Sequence, residues 1–281
     1  LTTIRDSFIC AQQIAFTSSV STFDSLSGLI PYTGKIKSYK WTFGTGISNS
    51  AIANPSKYLK TGVYAVKFVV ETDQLCKDSI TKNIKIIGPK AYYEFEGDST
   101  GCTPLKIKFK NKSTLSANFL WQFGEPQKTS FFTTKDTSIY YTYGTHGDYY
   151  PTLTATANLL SNGFPITCTS IFPDTPFIST LRRVTAYEKP KTNFVHRIDC
   201  NTQTVIFINQ SYVNVGSIAA YSWDFGDGDT STNANPVHQY ADSGTYIVTL
   251  NTTTNHGCTG QIKVPIRVAK APIVSFYKKD V

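Results

Sequence analysis

The sequence contains no methionine and only four histidines, and 16% of its 281 residues are charged. No apolar stretch approaches the roughly 18–20 residues that a membrane-spanning helix requires. No basic segment followed by an apolar one stands at the start, as a signal peptide would need. We therefore expect no membrane insertion, and the missing methionine leads us to expect a piece of a longer protein.

The patterns of common catalytic and metal sites are also missing. The sequence has no Gly-x-Ser-x-Gly elbow and no glycine-rich phosphate loop. The histidines have no His-x-x-x-His spacing, and the cysteines have no Cys-x-x-Cys spacing, that would support zinc. We expect a protein that is not an enzyme and that needs no cofactor.

Aromatic residues are abundant, with 17 tyrosines and 18 phenylalanines, and this composition favours strands over helices. The net charge of +8 comes from scattered lysines. Pairs such as Lys106 and Lys108 alternate along a strand and would face solvent. We interpret them as a solvated face, with attraction to an acidic polysaccharide as the alternative, and expect no nucleic-acid partner.

One pattern occurs three times. Trp-x-Phe-Gly begins at Trp41, Trp121 and Trp223, which are the only tryptophans, and a Gly-x-Tyr follows each at Tyr64, Tyr149 and Tyr246. The separation is longer in the second copy, which therefore carries an insertion. Since strand side chains alternate with a period of two, each Trp and Phe should point into a sandwich core, and each Tyr should form a tyrosine corner.

Six cysteines occupy two positions in each copy. We call the position before the first core strand "early" and the position after the Gly-x-Tyr strand "late"; the early cysteines are Cys10, Cys102 and Cys200, and the late ones are Cys76, Cys168 and Cys258. Pro89, Pro190 and Pro272 separate the copies, since proline suits only strand edges and entries. We expect three tandem immunoglobulin-like β-sandwiches at 1–88, 89–188 and 189–270 in a head-to-tail rod, with a fourth repeat starting at 271–281.

The third copy is similar to the signature of PKD domains, on residues 221–228 (Tyr-Ser-Trp-Asp-Phe-Gly-Asp-Gly), 235–240 (Asn-Pro-Val-His-Gln-Tyr) and 244–250. The first two copies have Thr45-Gly46 and Glu125-Pro126 in place of the Asp-Gly pair. A Phe-x-Asn-x-Ser strand at 109–113 and 207–211 resembles large surface proteins of Bacteroidota, including gliding-motility adhesins exported by the type IX secretion system.

This resemblance implies an extracellular, cell-surface stalk or adhesin segment that gives reach and rigidity. Its partners would be neighbouring repeats, surface polysaccharide or a substratum, and the secretion and motility machinery during export. The alternative is a carbohydrate-binding or spacer module of a secreted protease or glycoside hydrolase.

Two disulfide schemes suit the repeats, and both imply an oxidising compartment. Within each repeat the pairs would be Cys10–Cys76, Cys102–Cys168 and Cys200–Cys258. In an immunoglobulin topology, however, these loops lie at opposite ends of a sandwich, about 23 Å apart for a seven-residue strand. Bonded cysteines need Cα atoms within about 7 Å, so we favour Cys10–Cys168 and Cys102–Cys258 between consecutive repeats.

Two further features have a plain and a functional interpretation. Asp224, Asp227 and Asp229 could supply oxygen ligands to Ca²⁺, but a Gly-Asp-Gly turn explains the pair as well. Ser25, Ser79 and Ser99 each follow an aspartate, as in the O-glycosylation acceptor of exported Bacteroidota proteins.

Overall fold

The computed structural model describes residues 7–20, 35–125, 131–133, 138–161, 163–174, 181–272 and 274–276. The regular elements that we number within these ranges are twenty-three β-strands, and the all-β prediction is confirmed. Among the same residues, no helix has the length and apolarity that crossing a membrane would need.

The first six strands belong to the first predicted repeat. They are β1 Ser7–Ile9, β2 Gln12–Ala15, β3 Ile36–Thr42, β4 Ser56–Leu59, β5 Gly62–Thr72 and β6 Lys77–Ile87. One sheet has the order β1-β6-β5-β3, and β2 pairs with β4. β1 runs parallel to β6, whereas the other pairs are antiparallel.

The next ten strands belong to the second predicted repeat. They are β7 Tyr93–Glu96, β8 Thr100–Cys102, β9 Leu105–Asn111, β10 Asn118–Gln122, β11 Phe131–Thr133, β12 Ile139–Tyr143, β13 Gly147–Tyr149, β14 Thr152–Ser161, β15 Phe164–Phe172 and β16 Val184–Tyr187. Their sheets have the orders β11-β10-β14-β15, β12-β9-β7 and β13-β16-β8.

The last seven strands belong to the third predicted repeat. They are β17 Phe194–Asp199, β18 Thr204–Asn209, β19 Ile218–Asp224, β20 Thr230–Ser231, β21 Val237–Gln239, β22 Gly244–Thr254 and β23 Thr259–Val268. They form two sheets, with the orders β17-β18-β21 and β20-β19-β22-β23.

Packing divides the chain into two compact units, which do not coincide with the predicted repeats. Unit 1 contains Leu1–Glu94, Lys110–Ser138 and Pro151–Arg182, and unit 2 contains Phe95–Phe109, Ile139–Tyr150 and Arg183–Val281. The second predicted repeat therefore contributes one sheet, β11-β10-β14-β15, to unit 1 and its β13-β16-β8 sheet to unit 2. In the described residues each numbered strand still pairs only with strands of its own repeat. The repeat boundaries stay predictions.

The repeated tryptophans lie in apolar cores. Trp41 is 6% exposed, and Trp121 and Trp223 are fully buried. In unit 2, the Trp223 ring contacts the rings of Phe194 and Phe207 at centroid distances of 5.0 and 5.2 Å. The period-two alternation of the strands places these rings on the inner face of each sheet.

The repeated tyrosines form the same local contact. The hydroxyl groups of Tyr64, Tyr149 and Tyr246 each donate to the backbone carbonyl four residues earlier, at 2.9, 2.8 and 3.0 Å. Tyr149 is buried, whereas Tyr64 and Tyr246 are half-buried against the neighbouring core. These contacts have the geometry of a tyrosine corner and pin the start of the strand to its preceding loop.

The Phe-x-Asn-x-Ser strands tie β9 and β18 to the segments that enter their repeats. The Ser113 backbone N–H donates to Asn111 Oδ1 at 3.0 Å, and the Ser113 hydroxyl accepts from the Tyr92 N–H at 3.1 Å. Ser211 makes the same two bonds, with Asn209 and Asn193, at 2.9 and 3.0 Å. The motif therefore has a structural role at the entry of each repeat.

Candidate functional site: two disulfides and an acidic turn

The first disulfide joins the early cysteine of the first repeat to the late cysteine of the second. Cys10 and Cys168 have Cα atoms 5.3 Å apart, and both residues lie in unit 1. The Cys10 N–H donates to the Ile87 carbonyl at 2.8 Å, so this cysteine lies beside the end of β6. Cys168 is on β15, opposite Ala157, and is buried.

An ion pair between the same two repeats and a hydrogen bond within the second repeat accompany this disulfide. The Lys60 ammonium forms an ion pair with the Asp174 carboxylate. The Ala91 N–H, just after the linker proline, donates to the Ser170 hydroxyl at 3.2 Å. Cys10–Cys168, the ion pair and this hydrogen bond form a junction in unit 1, which we call junction 1.

The second disulfide repeats this arrangement one repeat later. Cys102 and Cys258 have Cα atoms 5.5 Å apart, and both lie in unit 2. Cys102 is opposite Tyr187 in the parallel β8–β16 pair. Cys258 Sγ lies 3.9 Å from the Tyr187 carbonyl oxygen, and the Tyr187 ring stacks on His256 with centroids 4.0 Å apart. We call this disulfide and its surroundings junction 2.

Glu188 and Gly260 shape the linker at junction 2. The Glu188 carboxylate accepts hydrogen bonds from the Asn214 side chain at 2.6 Å and from the Asn214 backbone at 2.9 Å. Desolvation acts to raise the pKa of Glu188, but these bonds outweigh it and the pKa is lowered. A Cβ on Gly260 would lie 2.7 Å from the Pro190 carbonyl oxygen, so only glycine lets the linker approach β23 this closely.

The structure contains both bonds of the inter-repeat scheme. The scheme within each repeat requires Cys168 and Cys258 to bond Cys102 and Cys200, and this cannot occur because they are bonded to Cys10 and Cys102. Cys76 and Cys200 are free and exposed. The repeated cysteine positions and the strand length were the signals for this pairing, whereas nothing in the sequence marked the Lys60–Asp174 pair or the Tyr187–His256 stack.

The three predicted calcium ligands separate in the structure. Asp227 and Asp229 lie with His238 so that their ligand atoms are within 4.8 Å of one another, and Asp224 is outside this group. The Asp224 carboxylate instead accepts the Gly226 N–H at 2.9 Å, and Asp227 accepts the Asp229 N–H at 3.2 Å. Both bonds are internal to the turn, as in an Asx turn.

His238 connects this turn to the core of the third repeat. Its Nε2 lies 2.7 Å from Asp227 Oδ2, and its ring stacks on Phe225 with centroids 4.2 Å apart. Desolvation acts to raise the pKa of Asp227, but the hydrogen bond from His238 prevails and the pKa is lowered. The Tyr240 hydroxyl donates to the Phe225 carbonyl at 3.0 Å. These contacts explain the Asp-Gly-Asp sequence without an ion.

The side chains of this cluster would supply only part of a calcium coordination shell. Ca²⁺ takes about six to eight oxygen ligands, whereas this group offers two carboxylates and one imidazole. His238, the third member of the cluster, belongs to the 235–240 segment that is similar to the PKD signature.

The predicted glycosylation acceptors differ in accessibility. Ser79 is exposed at the start of β6, Ser99 is half-buried, and Ser25 lies outside the described residues. Modification of these residues stays a prediction.

Comparison with known proteins identifies one part of the chain. Residues 187–268 match the family model of the PKD domain. Collagenase ColA of Bacillus cereus is 40% identical over 60 residues, which are 21% of this chain and 6% of the collagenase. Pre-pro-metalloprotease PrtV of Vibrio cholerae is 40% identical over 65 residues, which are 23% of this chain and 7% of that protein.

A solved structure covers a similar share. The crystal structure of the PKD1 domain from Vibrio cholerae metalloprotease PrtV is 34% identical, covers 29% of this chain and 99% of that chain, and has a TM-score of 0.28. The chain spans less than a tenth of the length of the two curated relatives described above.

Proposed function

We propose that the chain is a non-enzymatic spacer of an extracellular protein, built from PKD-like repeats that disulfides fasten to one another. Its starting point is the match of residues 187–268 to the PKD family model. The observation that carries this proposal is the pair of junctions, each with a disulfide between consecutive repeats. A covalent bond across a repeat boundary limits bending there, and limited bending is what a spacer requires.

The chemistry of the chain supports an extracellular setting without catalysis. Disulfides form and persist in oxidising compartments, and small exported domains use them widely. Among the described residues, the one metal-type cluster, Asp227, Asp229 and His238, is engaged in a turn. The special residues of the chain recur in each repeat as framework residues do, whereas an enzyme would gather unique polar groups at one place.

The test measures bending at junction 1. Paired spin labels at exposed Lys82 on β6 and exposed Leu160 on β14, attached through encoded non-cysteine residues, report the distance between the first and second repeats inside unit 1. We expect a narrow distance distribution that broadens severalfold in the C10S/C168S double variant. A control with the same labels and C102S/C258S should keep the narrow distribution, since that pair belongs to junction 2.

An unchanged distance distribution in C10S/C168S would contradict the spacer proposal, because the disulfide would then not limit motion between the first and second repeats. Loss of folding is excluded by the same far-ultraviolet circular dichroism spectrum and two-state melting of the two double variants.

A second candidate is a module that binds the matrix on which a secreted protease acts. The names of the relatives, a collagenase and a metalloprotease, favour a protease setting over the adhesin or gliding-motility role that the sequence resemblance implied. One exposed face also has suitable chemistry: the Tyr140 ring is 60% exposed, and the Lys106 and Lys108 ammonium groups lie 4.6 and 5.7 Å from its centre. An exposed ring packs on apolar rings, and Lys106 would attract acidic groups, whereas Lys108 is already paired with Glu96 at 2.8 Å.

Co-sedimentation with insoluble collagen and with an acidic polysaccharide tests this candidate. Binding that is lost in Tyr140→Ala and kept in Tyr58→Ala, an equally exposed tyrosine on β4, would support it. Equal sedimentation of all three proteins with either material would remove this face from consideration and leave the spacer role.

A further inference from the structure

Two cysteines remain unbonded in a chain whose other four follow one rule. Each bonded early cysteine pairs with the late cysteine of the next repeat, as in Cys10–Cys168 and Cys102–Cys258. Cys200 is at an early position and Cys76 is at a late position, and both are exposed. Equivalent positions are therefore disulfide-bonded twice each elsewhere in the same chain.

The turn that presents Cys76 has the same hydrogen bonds as the turn that presents bonded Cys258. The Cys76 N–H donates to Thr72 Oγ1 at 3.2 Å, and the Thr72 N–H donates to the Cys76 carbonyl at 3.0 Å. The corresponding bonds between Cys258 and Thr254 are 3.1 and 2.9 Å. The two turns therefore hold their cysteines in one backbone conformation.

The turns are also fastened to their sheets alike. The Asp73 N–H donates to the Lys35 carbonyl at 3.0 Å, and the Asn255 N–H donates to the Ser217 carbonyl at 2.9 Å. Both turns belong to β-hairpins whose strands pair up to the residue before the threonine, at Glu71–Lys77 and Thr253–Thr259.

Burial separates the two turns. Cys258 is 0% exposed because the second repeat covers it through Tyr187, whose carbonyl oxygen lies 3.9 Å from Sγ and whose ring stacks on His256. Cys76 is exposed, and so is the adjacent Leu75, at 63%. In the third repeat, the preceding repeat covers the late cysteine. In the first repeat, the late cysteine is exposed.

Cys200 occupies the place of the other bonded early cysteines, beside the chain as it leaves the repeat. The Ala271 N–H donates to the Cys200 carbonyl at 3.1 Å, one residue before Pro272. Cys10 is also hydrogen-bonded to the departing chain, but with the roles exchanged, since its N–H donates to the carbonyl of Ile87, two residues before Pro89. Cys200 therefore lies at the end of the third repeat, where the late cysteine of a following repeat could bond it.

We infer that Cys76 and Cys200 are the two complementary halves of further inter-repeat disulfides, and that each accepts a PKD-like repeat with a cysteine at the opposite position. Cys76 takes an early-position cysteine and Cys200 takes a late-position one. This inference extends the proposed spacer function, which rests on the two bonds already formed.

The bond forms by two exchanges with a small disulfide such as oxidised glutathione. One thiolate attacks the S–S bond and releases one glutathione thiol, and the second cysteine attacks the mixed disulfide and releases the other. Two cysteine thiols are oxidised and one glutathione disulfide is reduced to two thiols, so electrons and protons balance.

The rule makes two copies of this chain complementary, since Cys200 of one copy suits Cys76 of another. The experiment mixes equal amounts of C76S and C200S proteins in a glutathione redox buffer and measures the dimers by non-reducing electrophoresis and peptide mass mapping. We expect mixed Cys200–Cys76 dimers to outnumber both self-linked dimers together. The C76S/C200S/K82C triple variant, with an exposed thiol on β6 away from the turn, should show no preference when mixed with either protein.

A statistical mixture of dimers, or an excess of self-linked Cys76 dimers, would overturn the inference and leave the spacer function intact. A second measurement identifies the source of the partner. The protein is isolated from its own cells with its free thiols chemically blocked, and its disulfide-linked peptides are mapped by mass spectrometry. A Cys76 peptide linked to an early-position cysteine of another repeat of the same polypeptide places the partner in that chain, and a Cys76–Cys200 peptide places it in a second copy. Cys76 and Cys200 both recovered as blocked free thiols would also contradict the inference.

Discussion

Breaking either disulfide first should lengthen the fully stretched chain far less than breaking the remaining one, because the two disulfide-closed loops overlap in sequence. Cys10–Cys168 has a sequence separation of 158 and Cys102–Cys258 one of 156. In the oxidised chain, the shortest covalent path between the ends crosses to Cys168, returns along the backbone to Cys102 and crosses again to Cys258.

The magnitudes follow from residue counts and the length of an extended residue. At about 3.6 Å per residue, the oxidised path of about 98 residues reaches about 350 Å, either single bond allows about 440 Å, and the reduced chain reaches about 1,000 Å. The first bond to be removed therefore releases about 90 Å, and the second releases about 560 Å.

Single-molecule force spectroscopy measures these lengths directly. Handles at the two ends of the oxidised protein, of C10S/C168S, of C102S/C258S and of the reduced protein give four contour lengths. Disulfides within each repeat would instead enclose three separate loops of about 210–240 Å each. Either double variant would then break two of the three loops and reach about 770–800 Å instead of about 440 Å. A length of about 770–800 Å in either variant would therefore refute the overlapping arrangement.

Three further outcomes are expected from stability measurements. Gly260→Ala should lower the free energy of unfolding by about 1–3 kcal/mol, because its Cβ would clash with the Pro190 carbonyl. Gly144→Ala is the control, since Gly144 has open space around it, and equal melting temperatures of the two variants would disprove the clash. Trp223→Ala should cost about 3–5 kcal/mol by urea titration, since it empties a fully buried site; a loss below about 1 kcal/mol would contradict its core role. The folded pKa of Asp227 lies below its ordinary 3.8, so its contribution to the free energy of unfolding is present at higher pH and is lost as the pH falls through the folded value. Asp227→Asn should therefore destabilise more at pH 6 than at pH 2, and the same loss at both would exclude ionisation as the cause.

The repeated aromatic residues could be placed from the sequence because packing inside a sandwich constrains them strongly. A large ring on a strand, such as that of Trp223 or Tyr149, is buried only when it points between the two sheets of the sandwich. The cysteine pairing followed from the same regularity, since the length of a strand separates Cys10 from Cys76 in any immunoglobulin-like repeat. Because the motif occurs three times, the residue at each position could be compared among three copies.

The surroundings of the junctions could not be predicted in the same way. Lys60 and Asp174 are each unremarkable in sequence, and their pairing depends on how two repeats meet. Asp227 was interpreted with Asp224 because both are near in sequence, whereas the contact with His238 crosses from one sheet to the other through the turn. The division of the second repeat between two compact units likewise depends on tertiary contacts within each unit, which a strand pattern does not report.

The overlap of the two loops also has a consequence for biosynthesis. As the chain emerges from its amino end, Cys10 and Cys76 both enter the oxidising compartment well before Cys168 has been made. The native partner of Cys10 arrives only after most of the second repeat, and until then only folding of the first repeat keeps Cys10 away from Cys76. A chain that is oxidised before this repeat folds would form the non-native Cys10–Cys76 bond and would need thiol–disulfide exchange to correct it, so we expect its yield to rise when an isomerase is added to the oxidant.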